Sequence, residues 1–308
     1  MQRMSGSANA ELHSHRFTSQ CSLMQRDPDM RCDASQSIVR GVASTLMLML
    51  LMTPAAAQSA DNVGLCNGIN NPSADRQIGG CTTLIKSAEN PEVLAIIYNN
   101  RGNAYTRKEQ YDLAIQDYDE SLKADPNYAK AFNNRGVAYQ KKGQYDRAIE
   151  DFDAAIKIVS NYANAFANRA ETYQKKGDYV SALKDFDEAI QLQPKLGVVW
   201  NERCWTHAVT GDLQSALNDC NEANRLEPNV AATLDSRGLT YLKLGQWESA
   251  IADYNSALKL DPKLASALYG RGLAKVKRGN VASGNADIAA AQGIDQNIVG
   301  EFTHYGLK

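Results

Sequence analysis

The sequence predicts an all-α, open solenoid of stacked helix pairs, and three observations carry that prediction. From residue 95 to residue 298 the chain repeats at a fixed interval of 34 residues, in six blocks beginning at Ala95, Ala129, Ala163, Gly197, Ala231 and Ala265, with no insertion or deletion between them. Within the blocks, segments such as 132–141 (FNNRGVAYQK) and 146–157 (DRAIEDFDAAIK) place small and apolar residues at three- and four-residue spacing, the stripe of an amphipathic helix. Glycine then marks the middle of five blocks and proline the end of four. One helix pair cannot bury its apolar face alone, so stability has to come from stacking each pair on the next.

The elements follow block by block. Position 4 is large and apolar (Tyr98, Phe132, Phe166, Trp200, Leu234, Leu268), and position 8 is small (Gly102, Gly136, Ala170, Cys204, Gly238, Gly272). Position 20 is small again (Ala114, Ala148, Ala182, Ala216, Ala250, Gly284), and position 24 is aromatic in four blocks (Tyr118, Phe152, Phe186, Tyr254). Gly143, Gly177, Gly211, Gly245 and Gly279 stand where the first helix must end, because glycine takes the left-handed conformation without steric cost. The first block has Glu109 there, which predicts a looser turn. Pro126, Pro194, Pro228 and Pro262 at position 32 stop the second helix. This pattern resembles the tetratricopeptide repeat over 204 of the 308 residues, and the resemblance implies a right-handed superhelical solenoid of helix-turn-helix units. The six repeats are expected at 95–128, 129–162, 163–196, 197–230, 231–264 and 265–298.

Both ends of the chain depart from the repeat. Residues 38–57 (IVRGVASTLMLMLLMTPAAA) join an arginine, an apolar run, Pro54 and three alanines, the order of a secretory signal peptide with cleavage after Ala57. The 37 residues ahead are long and polar for such a signal, so translation is expected to begin at Met24 or Met30. The continuously apolar stretch 45–52 is well short of the roughly 18 residues that a membrane span needs. No stable membrane anchor is therefore expected after cleavage, and the mature protein is expected to be exported, to a periplasm. Residues 58–94 form a lead-in whose segment 75–88 (DRQIGGCTTLIKSA) falls in register with the second helix of a repeat, with Gly80, Leu84 and Ser87 at positions 20, 24 and 27. It reads as a capping half-repeat. Phe302, Tyr305 and Gly306 fall at positions 4, 7 and 8 of a seventh block, so residues 299–308 form the C-terminal cap, with a short helix expected over 297–306.

Beyond Ala57 the chain carries 28 Lys and Arg against 31 Asp and Glu. That weakly acidic balance does not suggest a nucleic-acid partner, which requires a dense basic surface, and none is expected, although an extended groove leaves room for a local basic patch. It also leaves four cysteines, Cys66, Cys81, Cys204 and Cys220, an even number for which disulfides are expected in an exported protein. Three connectivities are open to four cysteines, and the register favours one of them. Cys204 and Cys220 replace positions 8 and 24 of the same block, where facing helices otherwise pair a small residue with a large one, which leaves Cys66 with Cys81. With only His207 and His304 beyond the leader, no zinc site is expected, and no other cofactor.

Position 7 is Arg in all six blocks (Arg101, Arg135, Arg169, Arg203, Arg237, Arg271), and position 23 is Asp in all six (Asp117, Asp151, Asp185, Asp219, Asp253, Asp287). Joint recurrence on two facing helices predicts a charge-assisted pair that fixes register. Catalytic patterns are missing: there is no GxxxxGK, GxSxG or HExxH, and Gly270-Arg271-Gly272 lacks the preceding strand of a nucleotide loop. The expected function is non-enzymatic.

In the family, first helices line a concave groove through positions 2, 5, 6, 9, 12 and 13. Transferred to this chain, those positions give Asn99, Asn100, Asn103, Lys130, Asn133, Asn134 and Asn168 in the early blocks, with Arg107, Lys141 and Lys175 beside them. An amide side chain offers a donor and an acceptor together, and so can hold a peptide backbone without reading its sequence. The chaperone-tail clamp of some relatives matches only in part, since Asn99, Asn164 and Asn168 stand where basic residues are expected. The later blocks present Trp205, Leu239 and Leu242, with Val209, Leu273 and Val276, an apolar stretch suited to anchoring a partner. The expected role is an envelope scaffold that binds a protein or peptide segment in the groove. The alternative is an accessory subunit of a stable assembly, its groove occupied by its own tail, and self-association is left open.

Overall fold

Residues 54–307 are described by the structure, a computed structural model, and over them the chain forms fifteen helices and no strand. The leader, its apolar run and the alternative starts Met24 and Met30 fall on residues 1–53, outside the described residues, and the expected cleavage point lies within the first described helix. No described helix is long and apolar enough to cross a membrane. The fold class is all-α. The chain divides into two compact units, Met1–Glu109 and Gln110–Lys308.

The described part of the first unit holds α1 (Pro54–Cys66), α2 (Ala74–Ile85) and α3 (Pro91–Arg107). Ser73 caps α2 by accepting the Arg76 N–H, and Asn90 caps α3 by accepting the Val93 N–H, so each helix starts where a short polar side chain satisfies an orphan donor. A disulfide joins Cys66 at the end of α1 to Cys81 in α2, with Cα atoms 4.7 Å apart. Gln77 is buried in the same region; its Nε2 donates to the Cys66 carbonyl at 2.9 Å, and its Oε1 accepts from Arg107 Nη2 at 2.6 Å. Those bonds tie all three helices through one side chain.

The second unit is a solenoid of helices in chain order: α4 (Tyr111–Ala124), α5 (Ala129–Lys141), α6 (Tyr145–Ile158), α7 (Ala163–Lys176), α8 (Tyr179–Leu192), α9 (Gly197–Thr210), α10 (Leu213–Leu226), α11 (Ala231–Lys243), α12 (Trp247–Leu260), α13 (Ala265–Lys277), α14 (Val281–Ile294) and α15 (Ile298–His304). Each packs on its sequence neighbours, and the odd-numbered helices from α5 to α13 also pack on one another. The turns inside the pairs put Gly143, Gly177, Gly211, Gly245 and Gly279 at φ between +72° and +98°. The second helices of four pairs end two residues before the proline at position 32. α6 and α14 end at the equivalent point without one, Val159 and Asp295 being extended at φ −125° and −133°.

Packing inside the pairs depends on a close approach between positions 8 and 24. A Cβ on Gly136 would lie 2.7 Å from the Phe152 ring, and one on Gly238 would lie 2.7 Å from the Tyr254 ring. The α9–α10 pair uses that same place for a second disulfide, Cys204–Cys220, with Cα atoms 5.3 Å apart. Along one edge runs the Arg–Asp ladder. In all five pairs lying wholly within this unit, the guanidinium donates twice to the position-23 carboxylate of its own pair, as Arg135 does to Asp151 at 2.8 and 2.7 Å. The same five arginines also reach back to position 25 of the preceding pair, meeting Asp119, Asp153, Asp187, Asn221 and Asn255 in turn. Each rung therefore locks a pair internally and to its predecessor.

Candidate functional site

Three consecutive first helices of the second unit, α5, α7 and α9, are stitched side by side by a hydrogen bond that recurs with the repeat. Gln140 Nε2 donates to Thr172 Oγ1 at 2.9 Å, and Gln174 Nε2 donates to Thr206 Oγ1 at 2.6 Å. Both threonines are buried and return their own hydroxyl protons to the carbonyl four residues back, Asn168 and Glu202 respectively. With the helices held at this spacing, their side chains enclose a cavity of about 340 Å³.

Its polar lining consists of Asn133, Asn134, Asn164, Asn168, Glu171 and Glu202, and its apolar lining includes Val137, Ala167, Phe186, Leu196, Val198 and Val199. The amides form a chain: Asn168 Nδ2 donates to Asn133 Oδ1 at 2.9 Å, and Asn133 Nδ2 donates to Asn134 Oδ1 at 3.2 Å. Asn133 is buried, Asn134 and Asn168 are partly exposed, and Asn164 is exposed. Burial pushes the Glu202 carboxyl up to about 7, reinforced by the charge of Glu171, while Gln174, Lys175 and Asn201 pull the other way. Burial likewise raises Glu171 against the opposing charges of Lys175 and Lys141. A carboxyl resists ionisation where water is displaced and no cation makes contact.

The other expected groove residues are distributed differently. Lys130 is exposed and does not line this cavity. In the first unit Asn99 and Asn100 are both 2% exposed, so neither presents an open surface. Asn100 Nδ2 donates to Asn67 Oδ1 at 3.1 Å, an internal tie, and Asn103 is partly exposed. Leu239 and Leu242, expected on an open apolar stretch, are buried at 5% and 1% exposure. They belong to an apolar cluster that runs from Cys204 on α9 to Phe302 on α15.

The C-terminal segment accounts for that difference. Ile298 and Phe302 of α15 are buried, and Phe302 stacks on Tyr269 with centroids 4.7 Å apart. Tyr305 meets Trp205 edge-to-face at 5.6 Å, and Trp205 also packs on Tyr179 at 6.2 Å. Tyr179 Oη and His304 Nε2 lie 3.3 Å apart. The aromatic ring expected to anchor a partner is thus engaged by the chain's own end. Near Tyr305, Asp235 accepts from Ser266 Oγ at 2.7 Å through one oxygen, and its Oδ1 has no partner within the described protein. Burial pushes the Asp235 carboxyl up to about 7.

Sequence reasoning missed Glu171 and Glu202. They occupy positions 9 and 6, already marked as groove-facing, and the usable signal was that both turn acidic in adjoining repeats. It also missed the Gln–Thr stitch, which is legible as Gln140 and Gln174 at position 12 with Thr172, Thr206 and Thr240 at position 10.

Two family models match the chain. The tetratricopeptide repeat model matches residues 129–162 and 163–196, and a TPR repeat model matches residues 102–143 and 238–279. No curated protein matches the sequence significantly. Among solved structures, a tetratricopeptide repeat protein from Parabacteroides merdae superposes with a TM-score of 0.62 at 14% identity, over 81% of this chain and 99% of that one. PilW, described as a widely conserved type IV pilus biogenesis factor, gives 0.59 at 20% identity, over 65% and 92%. YrrB, described as a TPR protein with an unusual peptide-binding site, gives 0.50 at 22% identity, over 62% and 97%. At these identities the likeness is one of fold. With the 34-residue period, the helix pairs and the two matching models together, the chain is a tetratricopeptide-repeat protein.

Proposed function

We propose that this protein is a non-enzymatic interaction scaffold of the cell envelope, holding an extended segment of a partner protein in the open groove on α5, α7 and α9. The observation that carries the reading is the cavity lined by asparagine amides from successive first helices together with apolar side chains. Such amides match the alternating donors and acceptors of a peptide backbone, and an extended chain laid on them keeps its own side chains available for pockets. YrrB, which shares the fold, is described as having a peptide-binding site. The export reading is supported by the leader-like sequence and by two disulfides, Cys66–Cys81 and Cys204–Cys220, which persist in oxidising compartments.

A second reading has its own support. Trp205 lies against Tyr305, so the later part of the surface is occupied by the chain's own tail, as in an accessory subunit that meets its assembly through other faces. Photo-crosslinking from residues 134 and 205 in the native cells, followed by mass spectrometry, separates the two. Discrete partners captured from 134, with self-crosslinks to the tail from 205, support the scaffold. Self-crosslinks alone, together with co-purification at fixed stoichiometry, support the assembly subunit and end the groove reading.

A further inference from the structure

The lining of the α5–α7–α9 cavity is of two chemical kinds. Val137, Ala167 and Val199 contribute apolar side chains, while Glu171 and Glu202 bring two carboxylates from neighbouring first helices. Among the described residues no cation comes within ion-pairing distance of either carboxylate. Lys141 and Lys175 act on Glu171, and Lys175 also on Glu202, only through space; both lysines are exposed, and the hydrogen bonds that reach the carboxylates come from the neutral amides of Gln140, Gln174 and Asn201. A carboxylate withdrawn from water without a paired cation is costly to keep charged. A neutral guest would leave that cost in place, and an acidic guest would add to it. A guest with an aliphatic stem and a cationic end removes it, and that combination is the amphipathic side chain of arginine or lysine.

We propose that this cavity is a recognition pocket for a basic side chain of the bound segment, with the stem on Val137, Ala167 and Val199 and the cationic head between Glu171 and Glu202. The proposal rests on the groove reading above and adds the class of residue that the groove selects. The raised carboxyls agree with it, because burial without a paired cation disfavours their charged form. The amide chain of Asn133, Asn134 and Asn168 holds the flanking backbone, so affinity and selectivity reside in different side chains of one site.

The test uses the full chain and four pools of fluorescein-labelled, acetylated and amidated dodecapeptides, degenerate in Ala, Ser, Val and Asn except for a fixed central Arg, Lys, Gln or Glu. The Arg and Lys pools are expected to bind about tenfold more tightly than the Gln pool, with the Glu pool weakest. Glu171→Gln with Glu202→Gln should abolish the preference, bringing the Arg pool to the level of the Gln pool measured on the same variant, and Glu202→Lys should shift the preference toward Glu. Val198 is 54% exposed at the rim, so Val198→Arg supplies an independent block that leaves both carboxylates in place and should weaken the Arg pool about tenfold through an internal cation. Four pools of equal affinity, all weakened by Asn134→Ala with Asn168→Ala, would overturn the basic-residue proposal and leave the groove standing. Binding that is absent for every pool, or indifferent to the asparagine pair, would remove the groove reading and this proposal with it.

Discussion

Glu109 holds, at φ +58°, the backbone conformation that glycine takes in the five turns that follow. A residue with a Cβ is strained there by about 1–2 kcal/mol, whereas glycine carries a larger entropy loss on folding of about 0.5–1 kcal/mol. Glu109→Gly should therefore stabilise the protein by about 0.5–1 kcal/mol, seen as a higher urea midpoint with an unchanged slope. Asp235 is a second side chain at odds with its surroundings. The folded state holds its proton to about pH 7, against an ordinary carboxyl value of 3.8. Between those values the folded state binds more protons than the unfolded chain, so the stability that depends on the neutral carboxyl is lost as pH rises through that window. Linkage bounds the loss at about 4 kcal/mol. Asp235→Asn should flatten this part of the stability profile, and urea titrations at pH 4.5, 6 and 7.5 would read the difference directly. If wild type and variant run parallel across those three points, Asp235 ionises freely and the argument fails.

Helix ends and facing pairs were legible because each recurs, the small residue of position 8 in six blocks, the turn glycine in five and the position-32 proline in four. The stop of α6 at Ile158, without a proline, shows what the position-32 proline does elsewhere: it reinforces an ending that the backbone takes anyway. The Arg–Asp rungs were legible at position 23, where Asp never varies. Their second acceptor at position 25 was not, since Asp gives way to Asn at 221 and 255 and only the shared capacity to accept a hydrogen bond is kept. At the candidate site Asn134 and Asn168 could be named from the sequence because Asn recurs at position 6, whereas Glu171 and Glu202 were missed because each acidic residue stands once at its groove position, leaving only their adjacency in neighbouring repeats as a signal. The facing pairs also carry predictions. Gly136→Val drives a branched side chain into the Phe152 ring, which a Cβ alone would already approach to 2.7 Å, and should cost about 2–3 kcal/mol. Replacing Cys204 and Cys220 together by Ser opens a loop of 16 residues and should cost about 3 kcal/mol under oxidising conditions. A melting temperature unchanged from wild type would show that the bridge contributes nothing to stability.

In the second unit the largest apolar cluster runs from Cys204 to Phe302, and α15 completes it. The cap itself was legible, since Phe302 and Tyr305 keep positions 4 and 7 of a seventh block, but the burial of Leu239 and Leu242 within that cluster was not, because the contacts that close it are made once and do not recur. Repeat stacks are stabilised by nearest-neighbour interfaces, so the last pair would face solvent unless something replaced its missing neighbour. Ile298, Phe302 and Tyr305 do so with one short helix. Tyr305, the residue just past that helix, also reaches Trp205 on α9, two first helices away from α13, which makes the tail a clamp across several pairs as well as a lid on the last. The clamp has a measurable signature. With Trp200 and Trp247 replaced by Phe, Trp205 is the remaining tryptophan and its emission reports the contact. Phe302→Ala should cost about 3–4 kcal/mol, and the emission should shift red before global unfolding as α15 loses its largest buried ring. Should the emission keep its native wavelength until the whole chain unfolds, Trp205 is held by Tyr179 and its own pair, and the tail is a lid only.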